Sequence, residues 1–176
     1  MYNLKLDAKT KDDLEKFNNN ETPSKENLFV DIVDDNKFFV RLVLDVQVLA
    51  PIFVSDYGHS VLCKIVNSDQ FAKVSALETL ISEEPLFPAF KHFLKEDTFF
   101  LKLSVKDGKY KPEFDVPMDV SKPEDSVIKP GAPLTIFCKA GAWINFKEDV
   151  CGLFLKTEKI NTVEQPLKKK SRAPKK

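Results

Sequence analysis

The sequence predicts a mainly β protein: a small Greek-key barrel of five or six strands with one inserted helix. Segments with the alternating hydrophobicity of strands outnumber those with helical spacing, and the first strand is unusually long. Gly152 stands near the start of the last strand, where a glycine allows the close approach or bend that lets a sheet curl. A β-sandwich and an open α+β sheet fit the same pattern, which does not separate the three.

The 176 residues are enough for one domain with tails. Residues 1–30 are polar, and an Asn-Asn-Asn run followed by Thr-Pro-Ser interrupts any helix, which predicts a flexible N-terminal arm. We expect residues 31–165 to form the barrel domain and residues 166–176 to be a disordered basic tail. Neither a bilayer-spanning apolar run nor a secretory signal pattern is expected from this sequence.

The first half of the barrel domain is predicted as two strands and a helix. Strict alternation over residues 37–49 predicts a long strand, and residues 60–66 form the second. Asn67 and Ser68 can cap a helix, whose apolar stripe recurs at spacings of three and four over residues 71–81. A further helical turn is predicted over residues 87–94, since proline is tolerated in a first turn.

The second half is predicted as strands. Residues 98–105 and 109–116 flank an Asp-Gly hairpin signal. Residues 117–133 are proline-rich and too long for a hairpin turn, which indicates a surface loop. Residues 134–140 and 150–163 are predicted as a terminal strand pair, with a connecting loop between them.

The charge is unevenly distributed. The chain has 27 basic and 27 acidic residues, but the tail holds six of the basic residues and none of the acidic ones. Residues 1–165 therefore carry 21 basic against 27 acidic side chains. An acidic body excludes a general coating of phosphate-binding residues, so any nucleic-acid site has to be a local groove.

The motifs do not indicate an enzyme. The glycines are scattered singly, so no phosphate-cradling GxxxxGK or GxGxxG turn is present. The acid pairs Asp34-Asp35 and Glu83-Glu84 are typical of solvated turns, and no nucleophile-elbow pattern surrounds the neighbours His59 and Ser60. We expect neither catalysis nor a cofactor.

The three cysteines likewise do not indicate an enzyme. Cys63, Cys138 and Cys151 lack CxxC spacing and lie among apolar or β-prone residues, which predicts buried, reduced thiols. The two histidines, His59 and His92, show no tetrahedral ligand spacing with them, so no zinc site is expected.

Basic and aromatic residues alternate around the terminal strand pair and recur in earlier segments. Such a composition suits single-stranded nucleic acid, because bases stack on aromatic rings while lysines follow the phosphates. A lone Trp in a β domain is often part of the core, and strand lysines often mark a solvated sheet face. The candidate binding residues are Phe53, Tyr57, Lys102, Lys106, Lys139, Trp143, Phe146, Lys147 and Lys156.

The tail sequence LKKKSRAPKK supports three interpretations. A compact basic cluster can be read by a nuclear import receptor, or it can add non-specific attraction for phosphates. A generic basic terminus is the third. The residues concerned are Lys168, Lys169, Lys170, Arg172, Lys175 and Lys176.

Four motifs follow one another between residues 37 and 164: HSVLCKIVNSD, QFAKVSALETLI, FFLKLSVKDGKY and IKPGAPLTIFCKAGAWINFKEDVCGLFLKTEKINTVE. The last contains a K-P-G-x-x-L approach, a Trp in the connecting loop and a G-L-F-L-K-x-E-K-I strand. This order resembles the single-stranded DNA-binding proteins of short-tailed phages (podoviruses). The resemblance implies an OB-fold with a helix inserted after an early strand. It also implies that Trp143 and Lys139 line a DNA groove near Lys147, and that Gly152 permits a bend into the last strand.

One departure limits what the resemblance implies. Those phage proteins end in an acidic tail that competes with DNA and recruits replication partners, whereas this chain ends in lysines. Autoinhibition by the tail and docking of replication enzymes on it are therefore not carried over.

We expect a non-enzymatic protein that binds single-stranded DNA and protects it during replication, recombination or repair, with RNA as an alternative ligand. Replication proteins and a second copy of the chain are further candidate partners, and no membrane is expected. The tail predicts the nucleus or a viral replication site of a eukaryotic host, with the cytoplasm otherwise. The alternative is a β-barrel or β-sandwich interaction module with a nuclear-targeting tail, which the acidic body favours.

Overall fold

The computed structural model describes residues 1–56, 58–105, 112–115 and 128–162. This part of the chain is mainly β, with ten strands and two helices, and most strand pairs are antiparallel. The elements are β1 (Asn3–Leu4), α1 (Ala8–Asn18), β2 (Asn27–Val33), β3 (Arg41–Val48), β4 (Phe53–Ser55), β5 (Gly58–Ile65), α2 (Ser68–Ser82), β6 (Ala89–Lys91), β7 (Thr98–Val105), β8 (Glu113–Phe114), β9 (Pro133–Asn145) and β10 (Val150–Asn161).

The chain divides into two compact units. The first comprises Met1–Leu42, Ala72–Phe93 and Lys139–Lys156, and the second comprises Val43–Phe71, Leu94–Cys138 and Thr157–Lys176. In the first unit, β2 pairs with β1 and β9, β9 pairs with β10, and β10 runs parallel to β6. In the second unit, β5 pairs with β3, β4 and β7, and β10 runs parallel to β8.

The second and third long strands are correctly predicted, and so is the helix between them, which was predicted from apolar spacings of three and four. β7 has the predicted bounds, and β5 begins two residues before the predicted start. The side-chain oxygen of Asn67 accepts a hydrogen bond from the Gln70 backbone N–H at 3.0 Å, which caps α2 as expected. Val74, Leu77 and Ile81 of the apolar stripe are fully buried.

The long first strand is shorter than predicted. Its alternation holds from Val40 to Val48, where every second side chain is buried. Phe38 lies within the predicted strand and would continue this alternation, but it is 69% exposed. Asp34 accepts hydrogen bonds from the backbone N–H groups of Asn36 and Phe38, which closes a turn in which Lys37 has a φ of 68°.

The interpretation of residues 1–30 as a flexible arm is wrong, because α1 and part of β2 lie there. Asp7 caps α1 by accepting from the Thr10 N–H at 2.8 Å, and Leu14 is fully buried. Asp13 is also buried and accepts hydrogen bonds from both the N–H and the hydroxyl of Ser24. These hydrogen bonds hold the pKa of Asp13 below its ordinary value.

Two further predictions change. The predicted helical turn over residues 87–94 contains strand β6, which gains a ladder partner by pairing with β10. The predicted connecting loop after residue 140 is mostly strand, because β9 continues to Asn145 and the turn covers only residues 146–149. The Asp107-Gly108 hairpin and most of the proline-rich loop lie outside the described residues.

Candidate nucleic-acid interface

A row of four residues crosses four strands of the first unit. Phe29 of β2 is the direct antiparallel partner of Trp143 of β9, and Gly152 of β10 is the parallel partner of Lys91 of β6. A Cβ atom on Gly152 would lie 2.9 Å from both Cζ2 and Nε1 of Trp143. The indole therefore lies directly on the glycine, which joins the two pairs into one row.

The aromatic surface extends from this row to the next. Side chains alternate along a strand, so Phe154 lies on the same face of β10 as Gly152. Its ring centroid is 5.6 Å from that of Phe29, an aromatic contact in a tilted arrangement. Phe29 is 71% exposed, while Trp143 and Phe154 are half-buried. The three rings thus keep part of their surface in solvent.

Lysine and aromatic side chains meet at the other end of this face. The Lys139 ammonium lies 3.9 Å from the ring centroid of Phe39, and that of Lys5 lies 5.6 Å from it. Both distances are within the range of cation–π attraction. Lys139 also forms an ion pair with Asp31 at 3.4 Å, and Asp31 pairs with Gly141 in the β2–β9 ladder.

Two more lysines border the rings. Lys91 is exposed beside Gly152, and Lys156 is exposed two positions after Phe154 on β10. Among the residues described, neither has an ion-pair partner. We call this surface the Trp143 face; it consists of Phe29, Asp31, Phe39, Lys91, Lys139, Trp143, Phe154 and Lys156.

The structure brings together three of the sequence-predicted candidates, Lys139, Trp143 and Lys156, on the Trp143 face. Trp143 lies on a strand and not in the predicted loop. Phe146 is only 7% exposed because it packs against Phe17 of α1 at a centroid distance of 5.0 Å, so its ring is not offered to a ligand. Lys147 is exposed in the turn that follows β9.

The remaining candidates are elsewhere. Phe53 and Lys102 are exposed on β4 and β7 of the second unit. Tyr57, Lys106 and the six basic residues of the tail lie outside the described residues.

Sequence reasoning missed five members of the Trp143 face: Phe29, Asp31, Phe39, Lys91 and Phe154. Phe29 stands in NLFVDIV, whose alternation was readable as a strand with Phe29 on the solvent side. Lys91 had no such signal, because the parallel pairing of β6 with β10 joins segments about sixty residues apart.

The cysteines are buried, as predicted. Burial raises the pKa of the Cys63 and Cys138 thiols to about 12 and that of Cys151 to about 11. Cys151 Sγ also donates to the Pro88 carbonyl at 3.3 Å. Within the described ranges, no cluster of three or more His, Cys, Asp or Glu side chains could hold a metal ion. No helix in these ranges has the length and apolar character needed to cross a membrane.

Comparison with known proteins identifies no relative. No family model matches the sequence, and neither a curated protein nor a solved structure matches it significantly.

Proposed function

We propose that this chain is a non-enzymatic protein that binds single-stranded DNA on the Trp143 face. The observation that carries the proposal is the row in which Phe29 and Trp143 lie side by side, with Phe154 against Phe29 and Lys91 at the end of the row. Partly exposed rings offer π-faces to unpaired bases, and every base can stack on them, which makes the contact tolerant of sequence.

The placement of charge supports the same ligand. Lys91 and Lys156 flank the rings and have no carboxylate partner in the described part of the chain, so they can contact phosphates. An acidic body that nevertheless gathers lysines beside rings fits a local groove better than a general attraction for polyanions. In double-stranded DNA the faces of the bases are stacked within the duplex, so only the lysines could contact it.

The finer architecture belongs to this proposal. An OB-fold barrel, as implied by the resemblance to the phage proteins, is supported by the mainly β content and by helix α2 following strand β5. The proposed role is protection of unpaired strands in viral replication, recombination or repair, with replication proteins as partners. The basic tail would direct the protein to the nucleus or add non-specific phosphate attraction.

The test is a fluorescence titration of the full chain with oligo(dT), since Trp143 is the single tryptophan and lies in the proposed site. Stacking should quench its emission. The logarithm of the binding constant should fall with the logarithm of salt concentration, with a slope of about −0.7 for each phosphate neutralised. A chain lacking residues 166–176 should still bind. Binding that disappears with the tail, or an unchanged emission, would remove the Trp143 face from the proposal and favour the interaction module.

A second prediction concerns Asp31, whose carboxylate competes with phosphate for Lys139. Asp31→Asn should raise the affinity for oligo(dT) by roughly 2- to 5-fold at low salt, the worth of a partly exposed ion pair. The gain should shrink as salt increases, because screening weakens the competition. Fluorescence anisotropy with a labelled oligomer measures the affinity of both proteins at each salt concentration.

The matched control is Asp12→Asn, which removes the carboxylate of an ion pair with Lys16 on α1 and changes the net charge equally. Its affinity should stay close to wild type. An equal gain in both variants would mean that only net charge matters and that Lys139 is not a phosphate contact.

A further inference from the structure

The second unit has an exposed face of its own, centred on strand β5. Phe53 of β4 pairs with Ser60, and Ser60 pairs on its other side with Lys102 of β7. Two residues further along β5, Leu62 pairs with Phe100. Direct partners in antiparallel ladders share a face of the sheet, so these side chains lie together. We call them, with Lys64, the Phe100 face.

The two sides of this sheet differ in burial. Val61, Cys63 and Leu101, which alternate with the residues above, are fully or almost fully buried. Phe53 is 59% exposed and Phe100 is 62% exposed. Two large rings open to solvent on one face of a sheet indicate a surface for a ligand or partner.

The charged groups of the face favour a polyanion. Lys102 is exposed and, in the described ranges, has no ion-pair partner. Lys64 forms a long ion pair with Asp97 at 3.8 Å, in which both side chains remain partly exposed. The nearby Asp45 is occupied, since its carboxylate accepts from Gln70 Nε2 and Thr135 Oγ1 at 3.0 Å each.

We propose that the Phe100 face is a second contact surface for single-stranded nucleic acid, with bases stacked on Phe53 and Phe100 and a phosphate held by Lys102. This inference rests on the proposed function, the binding of single-stranded DNA. A protein partner, including a second copy of the chain, fits less well because lysine is depleted in the centre of protein interfaces. Here Lys102 shares a row with one of the exposed rings.

Photo-crosslinking of the full chain to an oligomer containing 5-iododeoxyuridine tests the two surfaces separately. We expect crosslinked peptides from both, with adducts at Phe53 or Phe100 as well as at Phe29 or Trp143. Adducts confined to the Trp143 face would overturn the second surface and leave the proposed function intact. Adducts confined to the Phe100 face would support this inference and overturn the assignment of the Trp143 face. No specific adduct would overturn both.

Substitution of Phe100 tests how much the Phe100 face contributes to the affinity for single-stranded DNA. Phe100→Ala should weaken binding of an oligo(dT) about 30 nucleotides long by about tenfold, since it removes a ring on which one base stacks. Its melting temperature should not change, because the ring is exposed. Phe38→Ala removes an equally exposed ring from the turn before β3 and should leave affinity unchanged. Unchanged affinity for Phe100→Ala, or a wild-type dimer that this variant dissociates in sedimentation velocity, would overturn the proposal.

Discussion

Trp143→Ala is expected to weaken binding of oligo(dT) by about 10- to 100-fold, because the loss of one well-stacked base is worth roughly 1–3 kcal/mol. The indole lies between the exposed ring of Phe29 and the backbone of Gly152, so its orientation is fixed before the ligand arrives. A preorganised ring loses little side-chain entropy on binding. The variant has no tryptophan, so the anisotropy of a labelled oligomer is the measurement.

Two companion variants distinguish a lost contact from a damaged fold. Trp143→Phe keeps a ring and should recover a large part of the affinity. Phe29→Ala removes a ring that is 71% exposed, so it should lower affinity without changing the melting temperature. Wild-type affinity in both Phe29→Ala and Trp143→Ala would show that the rings do not contact the bases.

Leu14→Ala is expected to lower the free energy of unfolding by about 2–5 kcal/mol, the usual effect of truncating a fully buried leucine. Leu14 is the central apolar residue of α1, and its side chain has no solvent exposure. Urea unfolding followed by circular dichroism measures the change. Lys9→Ala, at an exposed position on the same helix, should change it by less than about 0.5 kcal/mol.

A flexible N-terminal arm and a packed helix α1 predict opposite results for Leu14→Ala and Lys9→Ala. A flexible arm would tolerate Leu14→Ala as easily as Lys9→Ala, whereas a docked helix would not. Equal unfolding curves for the two variants would contradict the packing of α1 in the first unit.

The local sequence pattern was sufficient to predict a strand or helix wherever one face of that element is buried. The alternation of Leu42, Leu44 and Val46 and the spacing of Val74, Leu77 and Ile81 each state which side faces the core, and the structure agrees. The Asn67 cap could also be predicted, because its hydrogen-bond partner, the backbone N–H of Gln70, is only three residues away in the sequence. These features depend on neighbours in the chain.

Predictions failed where distant partners decide the structure. Residues 89–91 carry a helix-compatible pattern, but pairing with residues 150–152 makes them a strand. α1 is short and mostly polar, so its few apolar residues did not stand out until Leu14 was seen buried and Phe17 was seen against Phe146.

The candidate site shows the same division. Lys139, Trp143 and Lys156 were found because aromatic and basic residues cluster in the last quarter of the sequence. Phe146 was included because it is close to Trp143 in the sequence, but it lies in the turn after β9 and its ring packs against Phe17. Phe29 and Lys91 joined the site only through the sheet register.

The burial of all three thiols has a practical consequence for chemical labelling. Maleimides react with the thiolate, and at neutral pH a thiol with a pKa of 11 or 12 is ionised in about one molecule in ten thousand or fewer. An engineered surface cysteine would ionise far more readily and would be reached first. A dye could therefore be attached at one chosen point without first removing the native sulfhydryls.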